Sequence, residues 1–360
     1  MKRAWLTSNL RTYYRRLIVV STVITFTLYF PLFRGQHSSE DGLVRPTNEQ
    51  PSTPDPLSGG ISSVTLVVSS KSSEHTEWIA SNFPNTTTAI YVVDSKEPRL
   101  LLKTPMNKGN EAMVYLTYII DHYNNLPDIA IFIHAHLQSK HTDDLLGNSM
   151  VESLQRLCLP KVQSDGYFNL RCNWKPGGCP QYLNLRDLSL SASEGSVQAQ
   201  TLKKAWSELF PEVEELPEWV GQPYGGQFAA SRDAIRKIPL QSWVLWRDWL
   251  VNTNLTDYHS GRVWEYTWQF VLAGKATCCL NMYGCYCERY GVCFDSDKAF
   301  EDWTKQGEQL EEKFSKYLRM QPIGGKAIEM KMKLMKERDA LDKVLKEAKN
   351  RGDEVRGSSL

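Results

Sequence analysis

The chain has 360 residues, 41% of them hydrophobic and 23% charged, with a formal net charge of +1. This is globular composition, enough for one large domain or two small ones. Five basic groups and no acid fall in the first sixteen residues (Lys2, Arg3, Arg11, Arg15 and Arg16), so the remainder sums to −4, which excludes a body that is basic overall and leaves only a local groove for nucleic acid.

Residues 1–16 form the basic tail. "LIVVSTVITFTLYFPLF", residues 17–33, carries no charge. As a helix it would be about 25 Å long, adequate for a bilayer with flanking anchors. A cleaved signal peptide would need a shorter apolar core and a small-x-small site, whereas "PLFRGQHSS" follows. The expectation is an uncleaved transmembrane anchor. By the positive-inside rule its basic flank is cytosolic and the body lies in the lumen of the endoplasmic reticulum or Golgi. Residues 34–61, rich in Pro, Ser and Gly, read as a flexible stem.

An α/β domain is expected over 62–325. "SVTLVVSS" reads as a first strand, "TEWIASNF" as a helix, "TAIYVVD" as a second strand and "NEAMVYLTYIIDHYNNLP" as a long helix with an apolar stripe. "IAIFIHAH" is the third strand. Strands alternating with helices predict a mostly parallel sheet covered by helices. "SVQAQTLKKAWSELF" and "GRVWEYTWQFVLAG" read as later helices. The segment 326–360 is a charged C-terminal helix and tail, packed as a surface helix on the body.

Eight cysteines are present: Cys158, Cys172, Cys179, Cys278, Cys279, Cys285, Cys287 and Cys293. An even, clustered set without any Cys-x-x-Cys pair predicts disulfides rather than zinc, in an oxidising compartment. "LRCNWKPGGCP" suggests a small Cys172–Cys179 loop. Asn85 ("NTT") and Asn254 ("NLT") are glycosylation sequons.

Three groups of residues point to chemistry. His134 and His136 end an apolar strand, where ligands bind in open parallel sheets, and His141, Asp143 and Asp144 follow in the next loop. Imidazoles beside carboxylates can hold a divalent metal, or one ring can move a proton without a metal. Glu265 lies in an apolar helical run; burial would raise its pKa and suit it to acid–base work, with Asp257 and Arg262 close by in sequence. Asp295 and Asp297 could grip a cation, although first-turn acids also offset a helix dipole. The metal candidates are therefore His134, His136, Asp295 and Asp297.

The blocks "NKGNEAMVYLTYIIDHYNNLPDIAIFIHAH", "LRC…CP", "GGQFAASRDAIRKIP" and "SGRVWEYTWQFVLAG" together resemble a fungal family catalogued as a domain of unknown function. That family is similar in predicted architecture to the GT-A glycosyltransferase fold and to the fungal arginine-containing cyclodipeptide synthases. The resemblance implies two activities. One joins arginine and a second amino acid, both delivered by aminoacyl-tRNAs, into a cyclic dipeptide for secondary metabolism. The other is glycosyl transfer from a nucleotide-sugar, where the family fold usually carries Asp-x-Asp in place of His134-Ala135-His136, and imidazole is a softer, less anionic ligand. A third class is an inactive membrane-anchored binding module. For either enzyme, His134, His136 and Glu265 are the catalytic candidates, and His141, Asp143, Asp144, Asp257 and Arg262 the substrate-binding ones. Charged tRNA is cytosolic, whereas the anchor predicts a lumenal body. The sequence points to no protein partner.

Overall fold

The computed structural model describes residues 61–97, 102–174, 179, 182–191, 195–320 and 325–358. The expected anchor at 17–33 and nearly all of the stem lie outside the described residues. Among those described, no helix is long and apolar enough to cross a membrane.

The first half folds as its apolar periodicity predicts. β1 (Val64–Ser70) leads through α1 (Glu77–Asn82) to β2 (Thr87–Val92), and α2 (Ala112–Asp121) leads to β3 (Ile129–His134). β1 pairs in parallel with both neighbours, Val67 lying opposite Ala89 and Phe132. Then come α3 (Met150–Arg156), α4 (Leu159–Asp165), β4 (Tyr167–Asn169), β5 (Leu183–Asn184), α5 (Gly195–Leu209), β6 (Trp219–Val220), β7 (Phe228–Ser231), α6 (Arg232–Arg236) and α7 (Leu240–Asn252). α8 (Asp257–Glu265), α9 (Trp268–Ala273), α10 (Met282–Tyr290), α11 (Asp297–Met320) and α12 (Gly325–Ser358) complete the described chain. The main sheet has the order β2-β1-β3-β7-β4. β7 runs antiparallel to both β3 and β4, so four strands share one direction and a single reversed strand sits among them. β5 and β6 pair separately.

Helices cover both faces, and β3 shows why. Its side chains alternate between two cores: Ala130 and Phe132 enter one, with α2, α5, α7 and α9, while Ile129, Ile131 and Ile133 enter the other, with α1, α10 and Phe300 of α11. A strand buried on both sides needs an unbroken apolar run. α2 is likewise buried from Ala112 to Ile119, because it packs on the sheet with one side and on α7 with the other.

Two expectations are corrected. "GRVWEYTWQFVLAG" is not one helix: α8 stops at Glu265, where the Thr267 hydroxyl donates to the carbonyls of Val263 (3.0 Å) and Trp264 (3.3 Å), taking up acceptors left free at the helix end. Cys172 and Cys179 do not close a small loop together. Cys172 pairs with Cys285, Cys179 with Cys279 and Cys287 with Cys293, at Cα separations of 5.6, 5.7 and 4.4 Å, all bridgeable geometry. Cys158 and Cys278 are free thiols. The prediction of disulfides among the clustered cysteines is met, one bridge closing within the cluster and two reaching back to Cys172 and Cys179.

α12 packs on the body. Ala348 is fully buried, its carbonyl accepting from the Cys293 amide at 2.9 Å. Lys349 pairs with Glu152 (2.8 Å) and Asp353 with Arg156 (2.9 Å). Gly352 lies against the backbone of Gly291, with no room for a β-carbon.

Candidate functional site

The β3 strand ends on His134 because the carboxyl edge of the sheet is where polar groups first become tolerable. The His134 amide donates to Gln227 Oε1 (2.9 Å), and Gln227 Nε2 donates to the His141 carbonyl (3.1 Å). One buried amide thus fixes both the strand end and the loop beyond it.

Two carboxylates approach this histidine. Glu111 opens α2 after a turn through Gly109 and Asn110, both at positive φ, and its side chain makes no capping hydrogen bond to its own helix. Instead Glu111 Oε2 lies 3.6 Å from His134 Nε2. This is ion-pair distance, longer than a regular hydrogen bond, and Nε2 is buried with no other partner. Glu265 arrives from the last turn of α8. Its Oε1 accepts from the Gly225 amide at 2.7 Å and its Oε2 lies 3.2 Å from Arg262 Nη1.

Gly225 and Gly226 set this geometry. They have φ of +119° and +63°, and a β-carbon on Gly226 would fall 2.5 Å from Glu111 Oε1. The pair presents bare backbone to both acids, which a side chain would block.

The charges shift one another. Burial pulls the His134 pKa down, but the Glu111 contact and charge, with those of Glu265 and Glu74, outweigh it, and the ring titrates above its ordinary value. Burial pushes the Glu265 carboxyl up; Arg262 opposes the rise and Glu111 adds to it. His141 titrates below the usual imidazole range, through burial and then the charge of His134. Its ring stands edge-on to His134, with centroids 5.7 Å apart, and next to Tyr224 at 6.2 Å. The Arg171 guanidinium lies 4.3 Å over the Tyr224 ring.

The structure therefore gathers His134, His141, Glu265 and Arg262 from the sequence candidates. It sets others apart. His136 is half exposed and pairs with Glu74 at 3.2 Å, because the strand has ended and its alternation no longer holds. Asp143 is fully buried, and its oxygens accept from Tyr286 Oη (2.8 Å) and the Leu145 (3.1 Å) and Cys172 (2.9 Å) amides. Asp144 accepts from Asn173 Nδ2 at 2.8 Å and the Leu145 amide at 3.1 Å. These hydrogen bonds tie both carboxylates into the loop and its neighbours. Asp257 accepts from the Gly109 amide at 3.1 Å and fixes the turn before Glu111. Asp295 pairs with Arg351 (3.4 Å), and Asp297 opens α11 and accepts from Asn281 Nδ2 (3.2 Å). Among the described residues no three His, Cys, Asp or Glu side chains converge on a metal position, so the metal candidates do not form one ligand set. Asn85 and Asn254 are both exposed.

Residues 66–288 match the family described as "Protein of unknown function (DUF3431)", which is more than half of the chain. The chain belongs to this family. No curated protein and no solved structure matches it. The DUF3431 segment runs from Leu66 in β1 to Glu288 in α10, so it contains Glu111, His134, the Gly225–Gly226 turn and Glu265, whereas α11 and α12 lie beyond it.

Sequence reasoning assigned no role at the site to Glu111, to Gln227 or to the Gly225–Gly226 pair, which it reads only as a turn. Glu111 carries a local signal, an acid at the head of a helix whose next eight residues are all buried. Gln227 carries none, since its role is fixed by contacts with residues far away in sequence.

Proposed function

We propose that this DUF3431 chain is a transferase in which His134 removes a proton from an attacking amine or hydroxyl. The observation that carries this is the buried Nε2 edge of His134 facing Glu111, with Glu265 nearby. A carboxylate on one ring nitrogen fixes the tautomer and leaves Nδ1 as the exchanging base, the logic of a carboxylate–histidine pair.

The first reading is an arginine-containing cyclodipeptide synthase fed by aminoacyl-tRNAs. The amine of one aminoacyl group attacks the acyl carbon of the other, the ester C–O bond breaks, and the tRNA ribose hydroxyl leaves. The amine proton passes to His134 and on to that leaving oxygen. A second attack closes the ring and frees the second tRNA. His141 and Arg262 lie where they can orient substrate. In this reading the substrate guanidinium competes with Arg262 for Glu265.

The second reading is a membrane-anchored, GT-A-like glycosyltransferase of the secretory pathway. Three disulfides favour it, because they suit a lumenal body that charged tRNA does not reach. There His134 would activate an acceptor hydroxyl against a nucleotide-sugar.

Expression in a clean fungal host with metabolite profiling, wild type against His134→Ala, separates the two. A new arginine-containing diketopiperazine, lost in the variant, supports the synthase. Its absence, together with His134-dependent cleavage of a nucleotide-sugar by the purified protein, supports the transferase of sugars. An active, folded His134→Ala protein overturns both.

A further inference from the structure

A cavity of about 390 Å³ lies between α4, β4, α10 and the segment before α10. It is not lined by His134, Glu111 or Glu265. Six charged residues line it: Lys161, Arg171, Lys275 and Arg289 against Asp165 and Glu288. Cations exceed acids by two. Lys161 is engaged with Asp165 (2.9 Å) and Glu288 (3.7 Å), and Arg171 with the carbonyls of Lys140 and Thr142. Lys275 is exposed at the rim.

Arg289 is the unusual member. It is 5% exposed and uses Nη2 on Asp165, while its guanidinium lies 4.7 Å over the Phe168 ring. Its Nε and Nη1 are buried and have no hydrogen-bond acceptor. Buried donors of a charged group are rarely left unmet, because each has lost its hydration. A guanidinium with spare donors, on an aromatic plate beside a pocket with surplus positive charge, is the arrangement that recognises an oxyanion.

We infer that this cavity binds a small oxyanion-bearing molecule, a phosphate or carboxylate compound, held by Arg289 and Lys275. The inference stands apart from the His134 chemistry and does not depend on it.

The free thiol of Cys278 also lines the cavity, whereas the other free thiol, Cys158, does not. This supplies an internal reporter. The full-length protein is alkylated with iodoacetamide at fixed ionic strength, with pyrophosphate or glutarate added, and each cysteine is followed by peptide mass. A bound oxyanion slows Cys278 about tenfold when it is present at ten times its Kd, and leaves Cys158 unchanged. Pyrophosphate protection without glutarate protection assigns a phosphate ligand, and the reverse assigns a carboxylate. Lys275→Glu, at the exposed rim, abolishes the protection without disturbing the fold; Arg289→Gln does the same if it folds. Equal alkylation with and without both compounds at millimolar concentration overturns the inference. So does slowing of both cysteines together, or protection that survives Lys275→Glu.

Discussion

At the scale of single residues, the Glu111–His134 pair makes a prediction about pH. Removing the Glu111 charge leaves burial as the dominant influence on the ring, so Glu111→Gln lowers the His134 pKa. A rate that needs neutral His134 rises with pH through that pKa, with its inflection in the wild type above the ordinary imidazole value of about 6.5. Glu111→Gln moves the inflection to lower pH and lowers kcat/KM by about 10²–10⁴-fold; a pH–rate profile of both proteins reads both effects. The sign for stability follows from the same shift. A folded pKa above the unfolded one stabilises the fold below about pH 6.5, and the gain is lost as pH rises through the folded value. A second residue, Gly226, is tested by Gly226→Ala. The added methyl meets Glu111 Oε1 and the backbone sits at φ +63°, so the carboxylate is displaced. Turnover falls about 10²-fold, the scale of an ångström's misplacement, while circular dichroism stays native. His134, Glu265 and Arg262 were legible in the sequence because each breaks a strong apolar run or neighbours one that does. Glu111 and the two glycines were not, because their meaning lies in where α2 and the turn before β7 meet.

At the scale of elements, the parallel trio β2-β1-β3 was readable because strands of the required length alternate with helices of the required period. β7 was hidden. "FAAS" is only four residues long and two of them are alanine, so neither β-propensity nor alternation marks it, and its reversed direction is set by its pairing with β3 and β4. The C-terminal helix was legible as a surface helix, but its seat includes a close backbone contact that spacing does not announce, Gly352 against Gly291. Gly352→Val drives a β-branched side chain into that backbone. The expected cost is about 1–3 kcal/mol, seen as a lower melting temperature and faster hydrogen exchange along α12. A variant that melts like the wild type would mean that the close approach of Gly352 to Gly291 contributes nothing to stability.

At the scale of the whole molecule, two disulfides tie the strand β4 region to the segment around α10, across sequence separations of 113 and 100 residues. Bridges closing loops this long contribute about 2–5 kcal/mol each. Cys172→Ser combined with Cys285→Ser is expected to lower stability by that amount in chemical denaturation, and a reducing agent is expected to lower the melting temperature of the wild type and not further that of a protein lacking all three bridges. Peptide mapping under non-reducing conditions checks the pairing itself, with Cys158 and Cys278 remaining open to alkylation.

The length of those bridges also sets a clock on synthesis. A ribosome adding about 5–20 residues per second needs roughly 6–23 seconds to make the 113 residues that separate Cys172 from Cys285. From the making of Cys179 until Cys278 is added, Cys158, Cys172 and Cys179 are the only thiols yet made, and any bridge formed among them is a wrong one that must be reopened. The yield of correctly joined protein is therefore expected to rise with the disulfide-exchange capacity available during translation.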